Sequence, residues 1–85
     1  MKTFTPDVKI NLHGFKPDAA LLHLSHTLES GRYHNCSVLV IHGYGQGILR
    51  EKIRSWAKKS SLIKKIWNGE EYFLPGGGAV TLLFL

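Results

Sequence analysis

From Val8 the chain alternates, with Val8, Ile10 and Leu12 on one side and Lys9, Asn11 and His13 on the other. This is the two-residue period of a strand with one covered face. A helical period replaces it after Pro17, where Ala20, Leu21, Leu24 and Leu28 form one stripe. Pro17 suits a first helical turn, Asp18 complements the helix dipole there, and Gly31 is a natural stop. Val38-Leu39-Val40-Ile41 has no polar alternation at all, the mark of a strand covered on both faces. The intervening helix is long enough for a parallel crossover, so these elements predict a right-handed β-α-β unit. The helical period returns from residue 48 to about residue 60, with Leu49, Ile53 and Trp56 or Ala57 turned inward. Residues 66 to 74 read as an irregular strand or hairpin arm, Pro75-Gly76-Gly77-Gly78 as a breaker, and residues 80 to 85 as a last strand. The predicted order is β-α-β-α-β-β.

Length and composition narrow the class. Eighty-five residues leave room for one domain, with an ordered core expected over about residues 8 to 85. At 44% hydrophobic and 20% charged residues, the balance is that of a globular chain. The formal net charge of +5 attracts polyanions, so nucleic acid is the first partner to consider, with affinity falling as salt rises. Cys36 stands alone, which excludes an internal disulfide and a cysteine-held zinc and fits a reducing compartment. The first ten residues lack the apolar stretch of a signal peptide, and no segment approaches membrane-spanning length. A cytoplasmic monomer without membrane contact is therefore expected.

The run His42-Gly43-Tyr44-Gly45-Gln46-Gly47 separates the apolar strand from the second helix. Glycines there allow a tight turn and close approach to a ligand, while the helix N-terminus offers unpaired N–H groups and partial positive charge. His13-Gly14 ends the first strand in the same manner. If the strands are neighbours, His13 and His42 share one phosphate, one imidazole accepting a proton and the other donating it. Arg50, with Arg54 and Lys58 at four-residue spacing behind it, makes a basic ridge for further phosphates. His23 and His26, three apart, lack the further ligands of a metal site. Trp67 and Tyr72 suit core packing better than base stacking.

With these motifs in view, the sequence resembles the Smr domain, the small MutS-related module, over nearly its whole length. Ile10-Asn11-Leu12-His13-Gly14 stands where the family has Leu-Asp-Leu-His-Gly. The glycine run continuing into Ile48-Leu49-Arg50 matches His-Gly-x-Gly-x-Gly-x-Leu-Arg, and Gly76-Gly77-Gly78-Ala79-Val80-Thr81 resembles the glycine-rich start of the last strand. The resemblance implies a two-layer α/β sandwich, two helices on a four-stranded mixed sheet, similar to the C-terminal domain of a bacterial translation initiation factor. It also implies binding of RNA or DNA, in some members at stalled ribosomes, and endonuclease activity. By position, His13, His42, Gly43, Gly45 and Arg50 fall in the implied site, with Asn11 in the aspartate's place and Gly47 closing the loop. Asparagine keeps the shape and a hydrogen-bonding carbonyl without the charge that orients a histidine or holds a cation such as magnesium. Two readings thus stand side by side: a phosphodiester-cleaving endonuclease, and a non-catalytic nucleic-acid or ribosome binding module.

Overall fold

The computed structural model describes residues 5–44 and 47–85. Its elements run β1 (Val8–Asn11), α1 (Pro17–Leu28), β2 (Ser37–Ile41), α2 (Ile48–Lys59), β3 (Lys65–Asn68), a 3₁₀ turn (Gly77–Ala79) and β4 (Val80–Phe84). The strands form one mixed sheet in the order β1-β2-β4-β3. β1 lies parallel to β2, with Asn11 opposite Ile41, and β4 is antiparallel to both β2 and β3. The predicted crossover unit and the arm at residues 66 to 74 are both present in outline, the arm being a short strand followed by turns.

Alternation explains the helix-bearing face. Ile10, Val38, Val40 and Leu83 lie in one buried cluster with Ala20, Leu24 and Leu28 of α1 and Ile53 and Ala57 of α2. The unbroken apolar run of β2 has a different cause from a second helical layer. Leu39 and Ile41 are half-buried on the opposite face, packed on a smaller cluster of Leu74, Val80 and Leu82 to which Trp67 and Phe84 also belong. The β3–β4 connection therefore covers the back of the sheet through Leu74, and the architecture remains a two-layer sandwich. Trp67 and Tyr72 stack on each other at 4.6 Å between centroids, so these rings serve packing.

Register is pinned at the start of the parallel pair. The Asp7 carboxylate accepts the Ser37 N–H at 2.9 Å and the Ser37 hydroxyl at 3.1 Å, and the Asp7 N–H donates to Ser37 Oγ at 3.0 Å. At the other end of the pair, the Leu12 N–H donates to the Ile41 carbonyl at 2.8 Å, which carries His13 up beside the loop leaving β2. A one-residue slip would turn every β1 side chain to the wrong face, so this clasp also fixes where His13 emerges.

Candidate nucleic-acid site at the strand ends

Topology brings three glycine motifs together. β1 and β2 are parallel, so His13-Gly14 and the loop from His42 leave the sheet at the same edge. β4 runs the opposite way with Val80 opposite Ile41, so the Gly76–Ala79 segment enters at that edge too. The Ala79 carbonyl accepts the N–H groups of His42 and Gly43, each at 3.0 Å, and the Tyr44 hydroxyl donates to the Gly76 carbonyl at 3.1 Å. A depression of about 270 Å³ lies there, with His13, His42, Gly43 and Tyr44 among its walls.

His13 is exposed, and the Cδ2 edge of its ring faces the Gly43 backbone: a Cβ built on Gly43 would collide with the imidazole. Gly43 also has φ of 81°, a region that side chains disfavour, so glycine is required twice over at this point. Asn11 is likewise exposed, and its Oδ1 accepts the His13 N–H at 2.9 Å. Asn11 therefore shapes the turn beneath His13 through the backbone; neither ring nitrogen of His13 has a hydrogen-bond partner among the described residues.

His42 departs from the expectation of a second ring open to the ligand. It is only 3% exposed, and both its nitrogens are engaged internally. A carbonyl only accepts, so the contact of Nδ1 with the Gly43 carbonyl at 3.0 Å places the proton on Nδ1. Nε2 is then the acceptor for the Thr81 hydroxyl at 2.9 Å, and Thr81 Oγ1 accepts the Arg54 Nε–H at 2.9 Å. Burial holds the His42 pKa below its ordinary value of 6.5, opposed by the Gly43 hydrogen bond and reinforced by the positive charges of Arg54 and Arg50. Its lowered pKa favours the neutral ring, which locks the first turn of the loop.

Arg54 is the second correction. Its guanidinium forms a bidentate pair with Glu70, at 2.8 and 2.7 Å, and also donates to the Val80 carbonyl at 3.3 Å. Beside this cation the Glu70 carboxyl is held down to about 2. Arg54 is therefore a tie between α2 and the β3–β4 turn, not a free phosphate ligand. Arg50 is the opposite case: half-buried, with its guanidinium next to Gly47 and Gly78, it has no hydrogen bond or ion pair among the described residues. Lys58 is exposed one helical step beyond, along a groove that Arg50 and Arg54 also line. Gly47 caps α2 with φ of 82° and no side-chain cap, so that among the described residues no side chain caps this helix start, where N–H groups and the helix dipole favour an anion. Gly45 lies outside the described residues.

These geometries set the pH dependence of stability. A histidine whose folded pKa is depressed contributes fully above its unfolded value, and that contribution is lost as pH falls below about 6.5. Glu70, also depressed, adds a second loss as pH falls from about 4.5 toward 2. Urea midpoints should therefore decline from pH 7 to pH 5, with the His42 ring proton signals titrating below 6.5; a midpoint flat or rising over that interval would contradict the internal role of His42.

The Smr domain profile matches residues 10–85. The chain belongs to the Smr domain family. Its fold is close to the crystal structure of the Smr domain of Thermus thermophilus MutS2, with a TM-score of 0.78 and 27% identity over 91% of this chain and 95% of that one. Among curated relatives, the ribosome rescue factor SmrB of Shewanella baltica is 27% identical, and that of Shewanella oneidensis 28%, each match covering 84% of this chain. The chain spans only 44% of the length of these relatives.

Within this Smr domain, several site residues carried no separate signal in the sequence. Thr81 stood inside a motif quoted for its glycines, yet its hydroxyl is the hinge of the buried network. Glu70 had no local cue, because its partner lies 16 residues away. Tyr44 and Phe15 sat between glycines and after one. A divalent cation fits the described donors poorly. No group of three His, Cys, Asp or Glu side chains is assembled among the described residues, and hard cations favour clustered oxygen ligands.

Proposed function

We propose that this Smr domain binds RNA or DNA at the strand-end depression and cleaves a phosphodiester there, with His13 as the proton-transferring group. The observation that carries the proposal is the exposed imidazole of His13 against Gly43, in a depression that reaches Gly47 at the start of α2, with Arg50, which has no hydrogen bond or ion pair among the described residues, next to Gly47 and Gly78. A phosphate in this corner meets backbone N–H groups, the helix dipole and the Arg50 guanidinium, which together favour the charge that develops on its oxygens. His13 takes the proton from the attacking hydroxyl or water, and the imidazolium so formed returns one to the leaving oxygen. Lys58 extends the positive surface along α2. By likeness to the rescue factors, the ribosome is a further proposed partner.

Labelled RNA and DNA incubated with the purified chain, with magnesium and with chelator, test this reading; cleavage in both conditions is expected. Intact substrates in every lane would overturn the catalytic step. Arg50→Ala is expected to weaken binding and lower the slope of log affinity against log salt by about one, because this guanidinium has no partner to release among the described residues. Unchanged salt dependence in that variant would remove Arg50 from the interface.

A second reading rests on Asn11. Its Oδ1 is committed to the His13 backbone N–H, and among the described residues no carboxylate orients the His13 ring, as suits a binding module without chemistry. If the parent is inactive and Asn11→Asp cuts, this second reading holds.

A further inference from the structure

The depression at the strand ends has an apolar rim that phosphate binding does not use. Phe15 and Tyr44, both among its walls, are 42% and 64% exposed. Neither is a loose surface ring. Tyr44 is tied through its hydroxyl to the Gly76 carbonyl, with its ring edge close to Gly78 and beside Arg50. Phe15 leans on the His23 ring at 5.6 Å between centroids, and its own N–H donates to the Leu12 carbonyl at 3.0 Å. Two anchored, exposed aromatic rings thus line one depression, with Arg50, which has no ion pair among the described residues, beside Tyr44, in a chain of net charge +5.

We propose that Phe15 and Tyr44 form a stacking subsite for one unpaired base, so that the site takes single-stranded or locally unpaired nucleic acid rather than intact duplex. In a duplex the π-faces of the bases are already stacked inside, and the surface offers phosphates and groove edges; only an unpaired base has a face to give an aromatic ring. The strand's phosphate then reaches Arg50 and the start of α2 while its base lies on the aromatic rim. Charge complementarity selects the polyanion, and the paired rings select its unpaired state. This inference rests on the proposed nucleic-acid site and adds the form of substrate that the site accepts.

The test uses the 85-residue chain and three oligonucleotides of equal charge: a single strand, the same strand with abasic sugars throughout, and a blunt duplex of half that length. Binding is followed by fluorescence anisotropy. The single strand is expected to bind at least about tenfold more tightly than either of the others, the size of effect that stacking of one base carries. Tyr44→Ala and Phe15→Ala, checked by circular dichroism for an intact fold, should each remove most of that preference, and Tyr44→Trp should keep it. Equal affinity for the abasic strand or the duplex would overturn the stacking subsite while leaving the phosphate site standing. No binding to any of the three would overturn both.

Discussion

Replacing His13 by glutamine is expected to lower the rate of phosphodiester cleavage by about 10²–10⁴-fold, the range that a positioned acid–base group supplies, while leaving the fold and most of the affinity for nucleic acid in place. The reason is geometric. The His13 side chain is exposed and makes no hydrogen bond among the described residues, and the backbone turn beneath it is held by Asn11 through the His13 N–H, which glutamine retains. The matched substitution at His42 reads something else. That ring bridges Gly43 and Thr81 inside the protein, so its loss lowers stability first and activity only as a consequence. Single-turnover cleavage measured beside urea unfolding separates the two: His13→Gln should lose rate at unchanged midpoint, and His42→Gln should lose midpoint. A His13→Gln protein that cleaves at the parental rate would remove His13 from the chemistry.

Thr81→Val is expected to cost about 2–4 kcal/mol of stability, although valine nearly matches threonine in shape. Thr81 is fully buried, and its hydroxyl both accepts from Arg54 Nε and donates to His42 Nε2. Valine removes both bonds, and each buried group left without a partner costs about 1–3 kcal/mol. Arg54 keeps its pairing with Glu70 and some access to water, which holds the total below the sum of two full penalties. Thr81→Ser, which preserves the hydroxyl, should recover most of the loss. Against the 5–15 kcal/mol that typically holds a domain together, the valine variant should show a clear fall in urea midpoint. A change of under about 0.5 kcal/mol, the usual size for a surface substitution, would contradict the network.

The elements of the fold were legible because their periods are clean. Alternation from Val8 to His13 and the stripe Ala20, Leu24, Leu28 each name one covered face, and the glycines after His13 and His42 mark where the chain leaves the sheet. The strand order was less accessible. That β4 lies between β2 and β3 depends on pairings across some 40 residues, such as Ile41 with Val80, which no local pattern encodes. The same long-range pairing decided the site. Spacing alone gave His13 and His42 the same standing, since each precedes a glycine at a strand end; only the arrival of Thr81 over the second ring turned it inward. Arg54 was equally opaque, being one of three basic residues at four-residue spacing until Glu70 folds back onto it from the β3–β4 turn. Lys58 kept the exposure that the helical wheel assigns it, whereas Arg50 is half-buried against the glycines, and Gly43 owes its identity to the His13 ring, distant in sequence but in contact with it in space.

The central claim is that nucleic acid meets this Smr domain where the three glycine motifs converge. Its most direct test is a titration of isotopically labelled protein with a short single-stranded oligonucleotide, followed by amide chemical shifts. Shifts should concentrate at His13, Phe15, Gly43, Tyr44, Arg50 and Gly78. Shifts confined instead to the far ends of the helices, around Glu29, Ser61 and Leu62, would place the ligand elsewhere and contradict the account.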